Sequence, residues 1–575
     1  MEIIKTKLSH CKDCYKCVRR CEVKAIQIKD GHAQVIPERC ILDGRCVLIC
    51  PQSAKEVYSG LDKVKELINS KRKVVVSLAP SFVASFPDVP PRKLVTALKT
   101  LGFDEVEETS VAAFYVASEY KKLLETHSFL ISTDCPSLVN LVEKYYPQYK
   151  HYLAPVVSPM TAHGRMLKSA WQRNYQENVA VVFVGPCIAK IDEAFNGGFA
   201  DGVDAALSFA ELKRWMMDRQ LDLQAMAEAE WAPSEAGMDS RLYPVEGGFL
   251  KSAGFSGEIS SNLKTITGFE ECREFFAEMP DHPGNLRLVE MMICNEGCIN
   301  GPLLDSSLPV ITRRDLIFEY ARSRDTLPLL FDYSRESFDL SREFRDRRFP
   351  APEPSEDDLK ILMAKIGKYT RQDELDCGAC GYYTCREKAR AVFQGMAELE
   401  MCLPYMRKKA ESRANKIIEQ DPNGVILMGE EYRIVQFNHA FRRIYNLPTE
   451  INPIGKRIEE VIGSNCFLNV ARSLEPTSFV FTHAGIGKTI EVISFQLEDE
   501  DMLVGIFVDI TQRIRNSERL LKIKKEAIEK TEDVIHKQMR VSQEIASLMG
   551  ETTAETKVSL LKLLGILREE SEINE

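Results

Sequence analysis

Val179-Ala-Val-Val-Phe-Val-Gly-Pro-Cys-Ile-Ala-Lys-Ile-Asp-Glu193 joins an apolar, β-rich run to a loop carrying a cysteine, a lysine and two acids. The pattern recurs. Phe129-Leu130-Ile131 precedes Ser132-Thr-Asp-Cys-Pro136, and Leu286 to Ile293 leads into Cys294 of Met291-Met-Ile-Cys-Asn-Glu-Gly-Cys298. Apolar strands feeding polar loops imply an α/β domain, and in open α/β sheets ligands gather beyond the carboxyl ends of the strands. From Lys73 the run Val74 to Leu78 leads to a helix with Leu94, Leu98 and Leu101 on one face, stopped by Gly102. The loops supply four thiols, Cys135, Cys187, Cys294 and Cys298, the number a cubane iron-sulfur cluster takes.

The 575 residues are too many for one core, so several domains are expected. The 17 cysteines occur in tight Cys-x2-Cys spacings that suit metals better than a secreted disulfide scaffold, and Met1 opens no apolar signal segment. The expected compartment is therefore a reducing cytoplasm. No apolar run approaches a membrane span, and a net charge of -10 gives no basic footprint for nucleic acid or anionic lipid. Proteins and redox carriers are the expected partners.

The predicted organisation is multidomain, α+β and α/β. Residues 1–57 form a cysteine-dense, two-cluster ferredoxin-like head whose folding energy comes from metal. Residues 58–347 form the α/β domain, and 348–358, with Pro350, Pro352 and Pro354 among charges, a linker. A small helical Fe-S domain is expected at 359–410. Residues 411–514 alternate strand-like runs (Val425 to Met428, Ile434 to Phe437, Phe479 to Phe481, Met502 to Asp509) with short helices, as in a small sensor domain. In 515–575, Leu520, Ala527, Val534, Val541 and Leu548 recur every seven residues, with Leu521, Ile528 and Ile535 beside them. This is a coiled-coil pattern, followed after Gly550 by a last apolar helix, Val558 to Leu567.

In the head, Cys11, Cys14, Cys17 and Cys21 follow Cys-x2-Cys-x2-Cys-x3-Cys, and Cys50-Pro51 closes a second, altered run with Cys40 and Cys46. In two-cluster ferredoxins the last Cys of each run ligates the other cluster, so one 4Fe-4S cluster takes Cys11, Cys14, Cys17 and Cys50. The other takes Cys21, Cys40 and Cys46, with Asp43 where the pattern wants a thiol. Carboxylate binds iron as a harder, weaker partner, and the alternative is a solvated Asp43 beside a 3Fe-4S cluster. Cys377, Cys380, Cys385 and Cys402 resemble the four-iron domain of several electron-transfer and corrinoid proteins, zinc being the alternative. Fifteen cysteines plus Asp43 then supply sixteen ligands for four cubanes, leaving Cys272 and Cys466 as core cysteines.

The three loops, in order over roughly Lys73 to Phe344, resemble the site of iron-iron (FeFe) hydrogenases of the sensory type. The resemblance implies an H-cluster. Cys135, Cys187, Cys294 and Cys298 hold the cubane, and Cys298 bridges it to a two-iron unit carrying CO, CN and a bridging dithiolate, where H2 is split heterolytically. It further implies that Lys190 holds a cyanide, that Glu193 and Met292 are the motif's acid and methionine, and that Ser81 is a second cyanide contact. Two positions depart from the family. Asp134 replaces the cysteine that passes protons to the bridging amine, and Gly185 replaces a methionine. A carboxyl differs from a thiol in length and acidity, so slow, reversible hydrogen turnover is expected.

Asp421-Pro-Asn-Gly-Val-Ile-Leu-Met, Ile434-Val-Gln-Phe-Asn-His-Ala-Phe and Gly505-Ile-Phe-Val-Asp-Ile-Thr-Gln-Arg resemble a PAS domain with its output helix. No PAS cofactor is read. Cys466 is similar to the flavin-reactive cysteine of light-sensing members, but the Arg expected after it is missing. The resulting expectation is a hydrogen sensor that relays cluster redox state to a kinase, phosphatase or regulator, homodimeric through the PAS domain and coiled coil and loaded by maturation proteins. The rivals are a slow redox-coupling hydrogenase exchanging electrons with ferredoxin, and a hydrogenase-fold Fe-S scaffold lacking the two-iron unit. No nucleotide-binding Gly-rich loop is present, so NAD chemistry requires another chain.

Overall fold

The computed structural model describes residues 2–549 except 71, 197, 199–201, 231–238, 256–260, 280–283, 324–326, 335, 464–474 and 498–501, and also residues 558 and 562. Cys466 and most of the segment from Val558 to Leu567 lie outside the described residues. Two compact units are present, Met1–Tyr405 and Met406–Glu575.

At the centre of the first unit, a four-stranded parallel sheet runs in the order Glu105–Glu108, Lys73–Leu78, Val179–Gly185, Ala205–Ser208. Val76 pairs with Val106 on one side and Val182 on the other. Every residue from Val74 to Leu78 and from Val179 to Gly185 is buried, which is why these runs are continuously apolar rather than alternating. A second parallel sheet has the order Leu263–Thr267, Leu288–Met292, Leu130–Ile131. The strand expected at Phe129 to Ile131 is thus only two residues long. The helix stopped by Gly102 is Pro91–Thr100, and Gly102 holds φ +109 there. Cys272 is fully buried, as a core cysteine should be.

The head pairs Ile4–Thr6 with Lys55–Val57 and Ile26–Lys29 with His32–Val35, both antiparallel. Buried Lys55 ties the two pairs together, its Nζ donating to Thr6 Oγ1 (2.6 Å) and to Ala33 O (2.7 Å). The head docks on the α/β domain through Lys144 Nζ, which donates to Cys40 O (2.6 Å), and Tyr145 OH, which donates to Arg39 O (2.7 Å). Gly44 (φ +75) faces Pro302 and Ile188 so closely that a Cβ would lie 2.6 Å from Pro302 and 2.8 Å from Ile188. Gly44→Val is therefore expected to cost about 1–3 kcal/mol through backbone strain and overpacking. Faster proteolytic release of the head would show it, and an unchanged cleavage rate would refute it.

In the cysteine-dense domain, helices Glu356–Lys365 and Cys385–Phe393 are each capped by a capping box, Ser355 with Asp358 and Thr384 with Glu387. The first helix thus begins three residues inside the stretch expected as linker. This domain packs on the head, with Ile28 N donating to Met396 O (2.9 Å) and Tyr383 OH to Glu22 Oε2 (2.9 Å).

The second unit holds a five-stranded antiparallel sheet in the order Ile434–Phe437, Gly424–Met428, Leu503–Asp509, Lys488–Gln496, Thr477–His483. The strand Lys488–Gln496 was not among the expected runs. Helices His439–Ile444 and Ile458–Ile462 cover a core that includes Ile426, Phe441, Ile490 and Phe507. Buried Asn438 closes the first turn, its Oδ1 accepting from Val425 N (2.9 Å) and Phe441 N (3.0 Å). A helix of 39 residues, Thr511–Met549, follows. Asp509 Oδ1 accepts from Thr511 Oγ1 (2.6 Å), and Thr511 Oγ1 accepts from Thr489 N (2.9 Å), fastening the helix start to the sheet. Leu520, Val534 and Val541 on this helix are 63%, 59% and 43% exposed, whereas Ile535 beside them is buried.

Candidate metal centre

The carboxyl ends of four strands converge. Ala79-Pro80-Ser81 follows Lys73–Leu78, the loop to Cys135 follows Leu130–Ile131, Pro186-Cys187 follows Val179–Gly185, and Ile293-Cys294 follows Leu288–Met292. Helix Pro136–Tyr145 starts directly after Cys135 with proline at its first position, and helix Ile188–Asn196 directly after Cys187. Gly297 (φ +85) turns the chain between Cys294 and Cys298, and a Cβ there would lie 2.5 Å from Pro244 O.

Cys135, Cys187, Cys294 and Cys298 all border one cavity of about 30 Å³. A second cavity of about 80 Å³ adjoins it, with Cys298, Asp134, Lys190 and Met292 bordering both. Burial pushes all four thiols up, Cys187 to about 11 with repulsion from Cys135 adding, and Cys294 and Cys298 upward with repulsion from their neighbours. Four such thiols ionise at neutral pH only if a cation takes the charge, so the donor set fits an iron-sulfur cubane.

The larger cavity holds polar groups with no hydrogen-bond partner among the described residues: Ser81 Oγ and both carboxylate oxygens of Asp134. Burial pushes Asp134 up to about 7, with the Lys190 ammonium pulling it back. Lys190 Nζ donates to Asp134 O (3.3 Å) and lies 3.6 Å from Glu193 Oε2. Glu193 is held from three sides: Ser158 Oγ donates to it (2.8 Å), Arg342 Nη1 donates to it (3.0 Å), and Lys190 stands beside it. The five expected site residues, Ser81, Asp134, Lys190, Glu193 and Met292, are therefore gathered, Glu193 one step behind the cavity. Ser158, Arg342 and the cavity-lining Thr109, Ser110, Ser240 and Tyr243 were not foreseen. At Gly185 a side chain would meet the ring of Phe183 at 2.5 Å, and that ring itself borders the cavity.

In the head, Cys21, Cys40, Asp43 and Cys46 are mutual electrostatic neighbours, burial pushing Cys21 up to about 12 and Cys40 to about 11. Cys17 is close to Cys11 and Cys14 in the same sense. Cys50 Sγ accepts from Ala54 N (3.3 Å) as Cys21 Sγ accepts from Ala25 N (3.2 Å), so the two short helices end alike. An unforeseen group, Asp13 and His32, adjoins Cys11, with Asp13 Oδ1 3.1 Å from His32 Nδ1. Cys380 has Cys377 and Cys402 for neighbours, and Lys388 stands near Cys380, Cys385 and Cys402.

The family described as "Iron only hydrogenase large subunit, C-terminal domain" matches residues 72–302, "Putative Fe-S cluster" matches 373–404 and "4Fe-4S binding domain" matches 33–56. Iron hydrogenase 1 of Clostridium pasteurianum is 25% identical over 361 residues, covering 51% of this chain and 63% of that one. The cytosolic Fe-S cluster assembly factor narfl of Danio rerio is 22% identical over 327 residues, covering 46% and 79%. A solved structure of the [FeFe]-hydrogenase HydA1 from Chlamydomonas reinhardtii is 17% identical, covers 45% of this chain and 88% of that one, and superposes with a TM-score of 0.37. The chain spans less than two thirds of the length of the Clostridium pasteurianum relative. Among the described residues no helix is long and apolar enough to cross a membrane. The chain thus carries an iron-only-hydrogenase-like domain joined to iron-sulfur motifs of ferredoxin kind.

Proposed function

We propose that this chain is a hydrogen-sensing FeFe hydrogenase that binds H2, oxidises it slowly and reversibly, and relays cluster redox state to a PAS signalling module. The observation that carries this reading is the cavity beside the four-thiol site, with Ser81 and Asp134 aimed into it unpartnered and Lys190 on its border. Cys135, Cys187, Cys294 and Cys298 would hold the cubane, Cys298 being shared with the two-iron unit. The bound H-cluster supplies the heterolysis of H2. Lys190 and Ser81 offer the hydrogen-bond donors that anionic cyanides need when buried. Asp134 holds or moves a proton at its carboxyl, and Glu193, fixed by Ser158 and Arg342, compensates the Lys190 charge. Two 4Fe-4S clusters in the head and one at 377–402 would carry the electrons.

The five-stranded sheet and the long helix from Thr511 support a PAS domain with an output helix, and the exposed Leu520, Val534 and Val541 support a homodimer. A downstream kinase, phosphatase or regulator, maturation proteins and a carrier such as ferredoxin complete the proposed partners. A slow redox-coupling hydrogenase remains the enzymatic rival. The likeness to a protein named as an Fe-S cluster assembly factor favours a second reading, a scaffold without the two-iron unit. Infrared spectroscopy of protein co-expressed with maturation factors separates the two: CO and CN bands that respond to H2 support the sensor, and their absence supports the scaffold. Deleting residues after Arg513 should abolish a hydrogen-dependent transcript response while leaving turnover intact; loss of both would argue against separable sensing.

Asp134→Cys places a thiol in the cavity and is expected to raise hydrogen turnover about tenfold, a part of the roughly 10²–10⁴-fold that a positioned proton donor contributes, since the Asp134 carboxyl already carries some of it. Slower turnover in the fully loaded variant would refute a limiting role for Asp134.

A further inference from the structure

We infer that Asp43 is the fourth, carboxylate ligand of the second head cluster, and that this cluster is the junction through which the hydrogen site and the small cysteine-dense domain exchange electrons. The inference rests on the cofactor reading above and deepens it. Asp43 is half-buried and has Cys21, Cys40 and Cys46 for electrostatic neighbours. Its carboxylate is held by one neighbour: Arg45 N donates to Oδ1 (3.4 Å), and Arg45 Nε stands 3.6 Å from Oδ2 as an ion pair. One guanidinium cannot balance a carboxylate and three thiolates together, and iron supplies the remaining positive charge.

Two observations place this set between the other two. On one side, Leu42 and Asp43 border the same cavity as Cys135, Cys187, Cys294 and Cys298, and Gly44 packs directly on Pro302 and Ile188. On the other side, the buried Tyr382 ring has both Cys380 and Cys21 for electrostatic neighbours, and its hydroxyl has no partner among the described residues. Gly381 abuts Val18 and Arg19, and Arg19 Nη1 donates to Ala379 O (3.3 Å). Oxidation of one H2 releases two protons to water and two electrons, and each oxidised four-iron cluster takes one electron. Two clusters beyond the hydrogen site are therefore reduced per H2, and the electron bound for Cys377 to Cys402 passes the Asp43 set.

A carboxylate holds iron less firmly than a thiolate, so the iron at Asp43 is the exchangeable one. The test uses the full, matured chain with Asp43→Cys and Asp43→Ala, followed by electron paramagnetic resonance and iron analysis. Brief ferricyanide oxidation should release one iron from the wild-type protein and produce a three-iron signal. Asp43→Cys should keep four irons under the same treatment, and Asp43→Ala should show the three-iron signal as prepared. Under H2, reduction of the cluster at 377–402 should be at least tenfold slower in Asp43→Ala than in wild type, in samples whose infrared bands show an equally loaded hydrogen site. Identical ferricyanide behaviour of wild type and Asp43→Cys overturns the ligation, and equal rates in Asp43→Ala overturn the junction. If the infrared bands are missing altogether, the hydrogen-site reading fails instead, and the ferricyanide arm still decides Asp43.

Discussion

Glu107→Ala is expected to destabilise the first unit by about 3–5 kcal/mol, the loss seen when one partner of a buried polar pair is removed. Glu107 and His163 are completely buried, with Glu107 Oε2 2.8 Å from His163 Nε2. The same oxygen accepts from Tyr333 OH (2.7 Å), and Oε1 accepts from Leu330 N (2.6 Å). Behind His163, Nδ1 lies 2.7 Å from Ser77 Oγ, which lies 2.8 Å from Thr109 Oγ1 at the cavity wall. Removing the carboxylate strands an imidazole, a phenol and a backbone amide at once, and each buried unpartnered group costs about 1–3 kcal/mol. All three tryptophans, Trp171, Trp215 and Trp231, precede Tyr405, so their fluorescence in a urea titration reports on this unit alone. A loss below about 1 kcal/mol would show that the network closes without Glu107.

Glu290→Gln is expected to stabilise the same unit by about 3 kcal/mol at pH 7, and by progressively less as the pH falls. Burial pushes Glu290 up from 4.5 to about 8, the Phe249 amide pulling it back and the Asp134 charge pushing further. The folded protein therefore keeps a proton on Glu290 that the unfolded chain has released. That proton's contribution is whole below about pH 4.5 and is lost as the pH rises to about 8. A glutamine needs no proton: its oxygen still accepts from Phe249 N, and its amide group faces Thr265 Oγ1. The gap between variant and wild type in urea midpoint should widen from pH 6 to pH 8. A constant gap would mean that Glu290 does not titrate in this range.

The strand-loop pairs that build the site were legible because a continuous apolar run and the cysteine after it are adjacent in sequence. Ser81, Lys190 and Met292 were readable only through the resemblance to the hydrogenase loops, on which each lies within a few residues of a strand end. Arg342 and Ser158 were not, since nothing in Ser158-Pro or Arg342-Glu announces that both reach Glu193. Tyr243 and Ser240 reach the cavity from a segment without periodic pattern, brought there only by tertiary packing. In the second unit Lys488–Gln496 escaped notice although Ile490 and Val492 alternate inward, because Lys488, Glu491 and Gln496 dilute the apolar signal. The helix at Glu356 was announced by Ser355 and Asp358 but was masked by the three prolines before it. Gly185 reads in sequence as a missing methionine, whereas in space Phe183 occupies the room that a side chain there would need.

The fastening of Thr511 to Asp509 and Thr489 makes the long helix a lever with its fulcrum at the ends of two inner strands of the sheet. Thirty-nine residues at 1.5 Å each give an arm of about 58 Å. A tilt of about 5° at the fulcrum swings the far end by about 5 Å, roughly one helical turn's pitch. Small rearrangements among Lys488, Thr489 and Asp509 are thereby geometrically amplified along the length of the helix.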